Sequence, residues 1–199
     1  RVFIKIARTG VFKKFSDTLI FSKKINLVLK FINYIFCKRD KVNIGYNLLN
    51  CLISLGPGYI KFGQALSTRP DLLGQMTCKY LQKLQDDIKP FPSSVAKKIF
   101  EHEIEKPIEK IFRNFNEIPI ATASVAQVHV GTLENGNKVA IKLLKPNIEK
   151  LLFKDFIFFY WISRCFEFLI PKVKRLKLSK NVEVLSEISL NELDLTMEA

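Results

Sequence analysis

Lys142 is the residue whose setting most demands a chemical explanation. It stands in Lys138-Val-Ala-Ile-Lys-Leu-Leu144, a β-like run in which Ala140, Lys142 and Leu144 share one face. An ammonium between apolar neighbours lies at an edge, in solvent or against an anion, because burying it unpaired is costly. Three carboxylates close the chain. Asp194 and Glu198 are four apart and share a helical face. Glu192 lies roughly 200° around the helix from Asp194, so joining it requires a bend or a long reach. The four cysteines, Cys37, Cys51, Cys78 and Cys165, are far apart and form neither a zinc spacing nor a disulfide framework. That usage fits a reducing, cytoplasmic setting. His129 reads as a structural residue on a strand, and His102 as a surface residue on a helix.

The elements that position these groups are marked by glycine and proline. Val125–Val130 and Lys138–Leu144 read as two strands of a hairpin, joined through Glu134-Asn-Gly-Asn137, whose Asn-Gly pair suits a tight turn. Residues 44–90 read as helix, break, helix, punctuated by Gly56-Pro57-Gly58, with Pro70 at a further helix start. Pro90-Phe91-Pro92 is a stiff linker, and Ser93 or Ser94 is placed to cap a helix through Val95, Ile99 and Phe100. A short helix is expected after Pro107. The pattern turns β-like near Pro119. Residues 148–170 are apolar nearly all round, which suits a helix buried against neighbours or resting in a membrane interface. Pro171 ends it. Lys172, Lys174, Arg175, Lys177 and Lys180 follow as a basic cluster, either a solvated connection or a lipid contact. Helical spacing resumes over 181–199.

The 199 residues include 32 Lys and Arg against 19 Asp and Glu, a net charge of +13, with 48% hydrophobic and 12% aromatic content. That apolar content excludes a disordered chain and fits one globular domain, alone or with an extension. No uncharged apolar run of about 18 residues occurs, so no transmembrane helix is evident. Phe3, Ala7, Val11, Phe15 and Leu19 recur every four residues within a basic leader, residues 1–43. Such a helix either lies on an anionic membrane or packs on its own domain. Its charges interrupt any signal-peptide core. Nucleic-acid binding would rest on charge alone, without a motif, so no nucleic-acid partner is expected.

Three blocks, in order, carry a resemblance. They are Leu55-Gly-Pro-Gly-Tyr-Ile-Lys-Phe-Gly-Gln-Ala-Leu-Ser-Thr-Arg-Pro-Asp-Leu-Leu73, then Pro119-Ile-Ala-Thr-Ala-Ser-Val-Ala-Gln-Val-His129 with Val139-Ala-Ile-Lys142, then Asn191-Glu-Leu-Asp-Leu-Thr-Met-Glu-Ala199. Together they resemble the UbiB (AarF) family of atypical kinase-like proteins over residues 45–199, most closely its bacterial ubiquinone-biosynthesis branch. A strand lysine behind a small-residue turn is also the nucleotide-binding arrangement of protein kinases, though the loop here has no glycine. The resemblance implies an α+β fold. Residues 44–117 would be a helical extension bearing the Lys-x-Gly-Gln motif, and residues 118–199 part of a kinase-like N-lobe whose C-lobe is absent from this chain.

The resemblance also implies roles. Ile120, Ala121, Thr122, Ala123, Ser124, Val125, Ala126, Gln127 and Val128 would cover ATP in place of a glycine-rich loop, Thr122 departing from the commoner alanine. Lys142 would contact the phosphates, with Glu198 as its helix partner. Lys61 and Gln64 would lie on an extension folded over the active site, with Glu192 and Asp194 facing Lys61. Arg69 and Asp71 would pin that extension. Such an obstructed cleft favours ATP hydrolysis or phosphorylation of a small or lipid-like substrate over protein phosphorylation. ATP and Mg²⁺ are the implied cofactors, with the Mg²⁺ ligands and catalytic-loop residues expected downstream of Glu198. The chain therefore reads as an N-terminal fragment that turns over no ATP alone. The implied setting is the cytoplasmic face of a bacterial inner membrane, with the lipid surface and ubiquinone-biosynthesis proteins as partners. The competing reading is a non-catalytic remnant that at most binds membrane or partner proteins.

Overall fold

The computed structural model describes residues 2–11, 43–85 and 89–197, together with positions 27, 30, 31, 34 and 35. Glu198, and the leader positions Phe15 and Leu19, lie outside the described residues. The first helix, α1 (Val2–Arg8), packs on α2 (Ile44–Leu55). Ala7 and Val11 are buried there, and the Lys5 ammonium donates to Ser54 Oγ at 3.3 Å. This stretch of the leader thus packs on its own chain.

Asn43 caps α2, its side-chain oxygen accepting from the Gly45 N–H at 2.9 Å. Gly56 then adopts φ 117° and ψ −173°, a conformation that favours glycine, and the chain re-enters a helix, α3 (Pro57–Ser67), with Pro57 at its first position. Two short helices follow, α4 (Pro70–Leu73) and α5 (Gln75–Gln82). The next helix, α6 (Ser93–Ile104), starts one residue earlier than a serine cap requires. Pro92 is its N-cap, so Ser93 is already helical and its hydroxyl donates to Glu117 Oε2 at 3.3 Å instead. A 3₁₀ turn, Ile108–Lys110, follows Pro107.

The sheet has four strands, β1 (Phe112–Phe115), β2 (Ala121–Thr122), β3 (Ala126–Leu133) and β4 (Lys138–Leu144). β3 is central. β4 runs antiparallel along one edge, from Ala126 opposite Leu144 to Thr132 opposite Lys138. The other edge is shared by β2 at one end and β1 at the other. The tight turn expected at Asn135-Gly136 joins β3 to β4, with Gly136 at φ 86°. β1 precedes the sequence change at Pro119 and is too short for its alternation to be read. After the sheet come α7 (Ile148–Leu169), α8 (Pro171–Lys174) and α9 (Leu178–Asn191). Pro171 therefore begins a helix as well as ending one. α9 stops at Asn191 rather than running on to 199, and a single 3₁₀ turn occupies Leu195–Met197.

The sheet separates two apolar cores. Ile141 and Leu143 of β4 meet Phe112 and, from α6, Ala96 and Phe100. On the other side Val125 and Ala126 join the helical core of Leu52, Leu84, Leu152 and Phe156. This partition follows from the two-residue period of β4, which also sends Lys142 to the side opposite α6.

A polar network crosses the first core. The Gln127 amide accepts from the Phe91 N–H at 3.0 Å and donates to His129 Nε2 at 2.8 Å, while His129 Nδ1 bonds the Asn116 carbonyl at 2.9 Å. A carbonyl only accepts and an amide NH₂ only donates, so the imidazole proton is assigned to Nδ1. Phe115 stacks on the ring with centroids 5.0 Å apart. Both side chains are fully buried, so His129 is structural, and the Pro90–Pro92 linker is tied to β3. Gln127→Ala would leave the Phe91 N–H and His129 Nε2 unpaired in the core. Urea denaturation is expected to show a loss of about 2–4 kcal/mol.

Candidate functional site

The small-residue segment folds as a β-hairpin. The Ile120 N–H donates to the Val128 carbonyl and the Ala123 N–H to the Ala126 carbonyl, both at 2.8 Å, leaving Ser124-Val125 as the turn. The turn is held down. Val125 is buried in the helical core, and its carbonyl accepts from the Lys145 N–H at 2.8 Å. Ala121 and Ala123 are exposed, so the outer side of the hairpin is backbone and methyl groups. Lys142 is half-buried opposite Val128 in the β3–β4 ladder. The hairpin and the cation are thus adjacent by strand pairing. Gln127 is not on this side: it pairs with Leu143, and its amide is committed to the Phe91 and His129 network.

The second cluster is built on α3. Lys61 is buried, and its ammonium donates to Glu192 Oε2 across more than half the chain. Glu192 stands at the C-terminal end of α9 with its N–H still on the Ile188 carbonyl, and the backbone tightens just after it, with the Leu193 N–H on the Leu190 carbonyl and the Asp194 N–H on the Asn191 carbonyl. This turn begins after Glu192 and removes Asp194 from the pair. The Asp194 carboxylate caps the following turn, accepting from the Thr196 N–H at 3.0 Å and from its hydroxyl. Those bonds hold its carboxyl below the usual range. Asp194 thus lies beyond the end of α9.

The other motif letters pack α3 in place. A Cβ on Gly63 would come within 2.5 Å of Leu84 Cδ1 and 2.7 Å of Leu52 Cδ1, so any larger residue has to displace these buried leucine side chains. Gln64 Nε2 donates to the Leu84 carbonyl at 2.9 Å and so faces α5 rather than Lys142. Arg69 and Asp71 form a bidentate surface pair, at 2.9 and 2.7 Å, that links the N-cap of α4 to its first turn. Exposed pairs of this kind contribute little stability.

The ABC1 atypical kinase-like domain matches residues 83–199, which includes the hairpin, Lys142 and Glu192. The chain belongs to this family, the UbiB/AarF proteins. It is 40% identical over 156 residues to the "Probable protein kinase UbiB" of Shewanella baltica, covering 78% of this chain and 28% of that protein. The protein of the same description from Marinobacter nauticus is 42% identical over 161 residues, 81% of this chain and 29% of its own length. That from Erwinia tasmaniensis is 40% identical over 164 residues, 82% of this chain and 30% of its own. The chain thus spans under a third of the length of the curated relatives it matches. The α+β fold is that of a kinase-like N-lobe carrying the helical segment with the UbiB motif.

In this UbiB-family chain the sequence reading missed Asp155. It lies on α7 and accepts a hydrogen bond from the Gly58 N–H at the start of α3. A Cβ on Gly58 would stand 2.5 Å from Asp155 Cβ and 2.6 Å from Oδ2, which explains the second glycine of Gly56-Pro57-Gly58. Tyr59 packs edge-on against Phe159 with centroids 4.9 Å apart, and Phe62 against the same ring at 5.0 Å. The available signal was an aspartate in the middle of a helix that is apolar nearly all round. Burial pushes the Asp155 carboxyl above its ordinary value, opposed by the Gly58 N–H and by Lys154. Burial, then Asp155 and Cys51, push the Tyr59 hydroxyl up to about 12.

Two outcomes are expected. Gly63→Ala should lower thermal stability despite alanine's better helix propensity, because overpacking typically costs about 1–3 kcal/mol and exceeds that gain. Calorimetry of the variant measures it. Asp155 binds its proton more tightly folded than unfolded, so its contribution to stability falls as pH rises from about 4 toward neutrality. Asp155→Asn keeps an acceptor for Gly58 and removes the charge. Urea midpoints across that window should show a flatter pH dependence, with stability at neutral pH equal or higher.

Proposed function

We propose that this chain supplies the nucleotide-binding part of an atypical kinase-like ATPase or phosphotransferase that supports ubiquinone biosynthesis. The observation that carries the reading is the half-buried Lys142 paired in register beside a glycine-free hairpin of small residues. Kinase-like catalysis needs a fixed cation at the phosphates and a backbone cover above them. The hairpin suits that cover. Its outer side carries exposed alanines, and Val125 and the Lys145 N–H anchor its turn, so its backbone is stiff where a glycine-rich loop is supple. ATP would be held by Lys142 and the backbone of 121–126, and when bound it supplies the transferable phosphoryl group.

The Lys61–Glu192 pair supports the further part of the reading. It ties the extension helix to the segment that follows α9, next in sequence to the predicted partner of Lys142. An extension fixed in this way would leave little room for a peptide and favours a small or lipid-like acceptor. The relatives carry the description "Probable protein kinase UbiB", which supports a kinase-like reading. Among the described residues no group of three or more His, Cys, Asp or Glu is placed to hold a metal ion.

The test is equilibrium binding of a fluorescent ATP analogue to the chain. Lys142→Met should weaken binding by about tenfold or more, the size expected for losing one charge-assisted phosphate contact. Lys61→Ala, with Lys142 intact, should alter nucleotide affinity through the extension. Unchanged binding in the Lys142 variant would remove the nucleotide reading.

A further inference from the structure

Two apolar surfaces of this chain stand uncovered, and they are complementary. The first is the groove between α7 and α9, an open cavity of about 460 Å³. Phe153, Ile157 and Trp161 of α7 form one wall, with Trp161 65% exposed. Leu190, Glu183 and Glu187 of α9 contribute to the other, the two glutamates exposed and one helical turn apart. Among the described residues these glutamates are the only charged groups lining the groove. Glu183 also meets Lys180 at 3.4 Å, an exposed pair of little strength. The second surface lies in the leader, where positions 27, 30, 31, 34 and 35 are helical and exposed. Leu27, Phe31, Tyr34 and Ile35 are 70%, 63%, 74% and 53% exposed. At 100° per residue they fall within an arc of about 100°, and Lys30 stands at its edge. Residues 1–43 carry eleven Lys and Arg against two Asp.

We propose that the leader stripe of one copy docks in the α7–α9 groove of a second copy, and the reverse, giving a two-fold dimer. Three features select that occupant. The lengths agree: at 1.5 Å per residue, Leu27 to Ile35 spans about 12 Å, as does Phe153 to Trp161 along the groove wall. The shapes agree, because a narrow apolar ridge on a helix is what a groove between two helices accepts. The charges agree as well. Lys30 flanks the stripe and Glu183 and Glu187 flank the groove, so docking sets ammonium beside carboxylate at a solvated rim. Those same carboxylates repel an anionic lipid headgroup. Within one chain the stripe and the groove are both left open, so a second copy supplies each with its complement. Every copy carries both surfaces, and the exchange therefore closes after two copies and covers both stripes at once. The proposal does not rest on nucleotide binding, and its readout is independent of it.

Trp161 is the only tryptophan in the chain and reports directly on the groove. Sedimentation equilibrium of the chain at micromolar concentrations is run beside its emission spectrum. The expected result is a monomer–dimer equilibrium, with emission moving to the blue as the dimer fraction rises. Leu27→Ser with Phe31→Ser should weaken dimerisation by about thirtyfold or more, the size expected for losing central apolar anchors. Glu183→Lys with Glu187→Lys should weaken it by about tenfold or more. All four side chains are exposed, so circular dichroism should not change. Mixing the two variants separates this dimer from any other. Each keeps the surface that its companion lacks, so a heterodimer should form where neither variant dimerises alone. A chain that stays monomeric across the concentration range would overturn the proposal. So would a dimer indifferent to both pairs of substitutions, or a mixture that yields no heterodimer. Emission that is blue-shifted at every dilution, and moves to the red in the Leu27 and Phe31 variant, would assign the stripe to the groove of its own chain and overturn the dimer.

Discussion

A buried lysine is tolerable only with a carboxylate against it, and that requirement at Lys61 organises much of this molecule. Glu192, at the C-terminal end of α9, meets it. α3 must in turn stand deep enough for the ammonium to reach that carboxylate. Its depth is set by two glycines, Gly58 against Asp155 and Gly63 against Leu52 and Leu84. One ion pair thus couples the break at Gly56, the packing of α3 and the end of α9. The Lys-x-Gly-Gln motif is explained letter by letter: a charge for Glu192, a missing side chain for close approach, and an amide for the Leu84 carbonyl.

The sheet performs a different task. β4 alternates between two cores, so Ile141 and Leu143 anchor it against α6 while Lys142 is delivered to the other side. β3 obeys the same period. Gln127 and His129 tie it to the linker before α6, and Val128 stands opposite Lys142. The hairpin at Ser124-Val125 is fastened from below by Val125 and the Lys145 N–H rather than by its own flexibility. A loop without glycine can serve as a phosphate cover on such terms, because its geometry is imposed by neighbours and does not rely on unusual dihedral angles.

Much of this was legible beforehand, and the reasons are local. The β3–β4 hairpin followed from alternation and an Asn-Gly turn, the α2–α3 break from Gly56-Pro57-Gly58, and α7 from a run that is apolar nearly all round. Each signal is complete within a few residues. β1 was not visible, because four residues cannot display a period. The end of α9 was not visible either, since its helical spacing continues through Leu195 and only hydrogen bonds closing over three residues interrupt it. Ser93 or Ser94 was expected to cap α6 and both instead lie inside it, a shift that local propensity does not resolve.

The sequence by itself determined which residues carry charge, which segments are helical or extended, and which motifs place the chain in its family. Those properties depend on residue type and short-range spacing. The tertiary structure decided which of those charges meet. Only packing chose Glu192 over Asp194 for Lys61, set Gln127 on the side away from Lys142, and paired Asp155 with Gly58. It also left the aromatic and cationic side of α7 outward. An amphipathic pattern defines two faces of a helix, but which face is covered depends on neighbours distant in sequence.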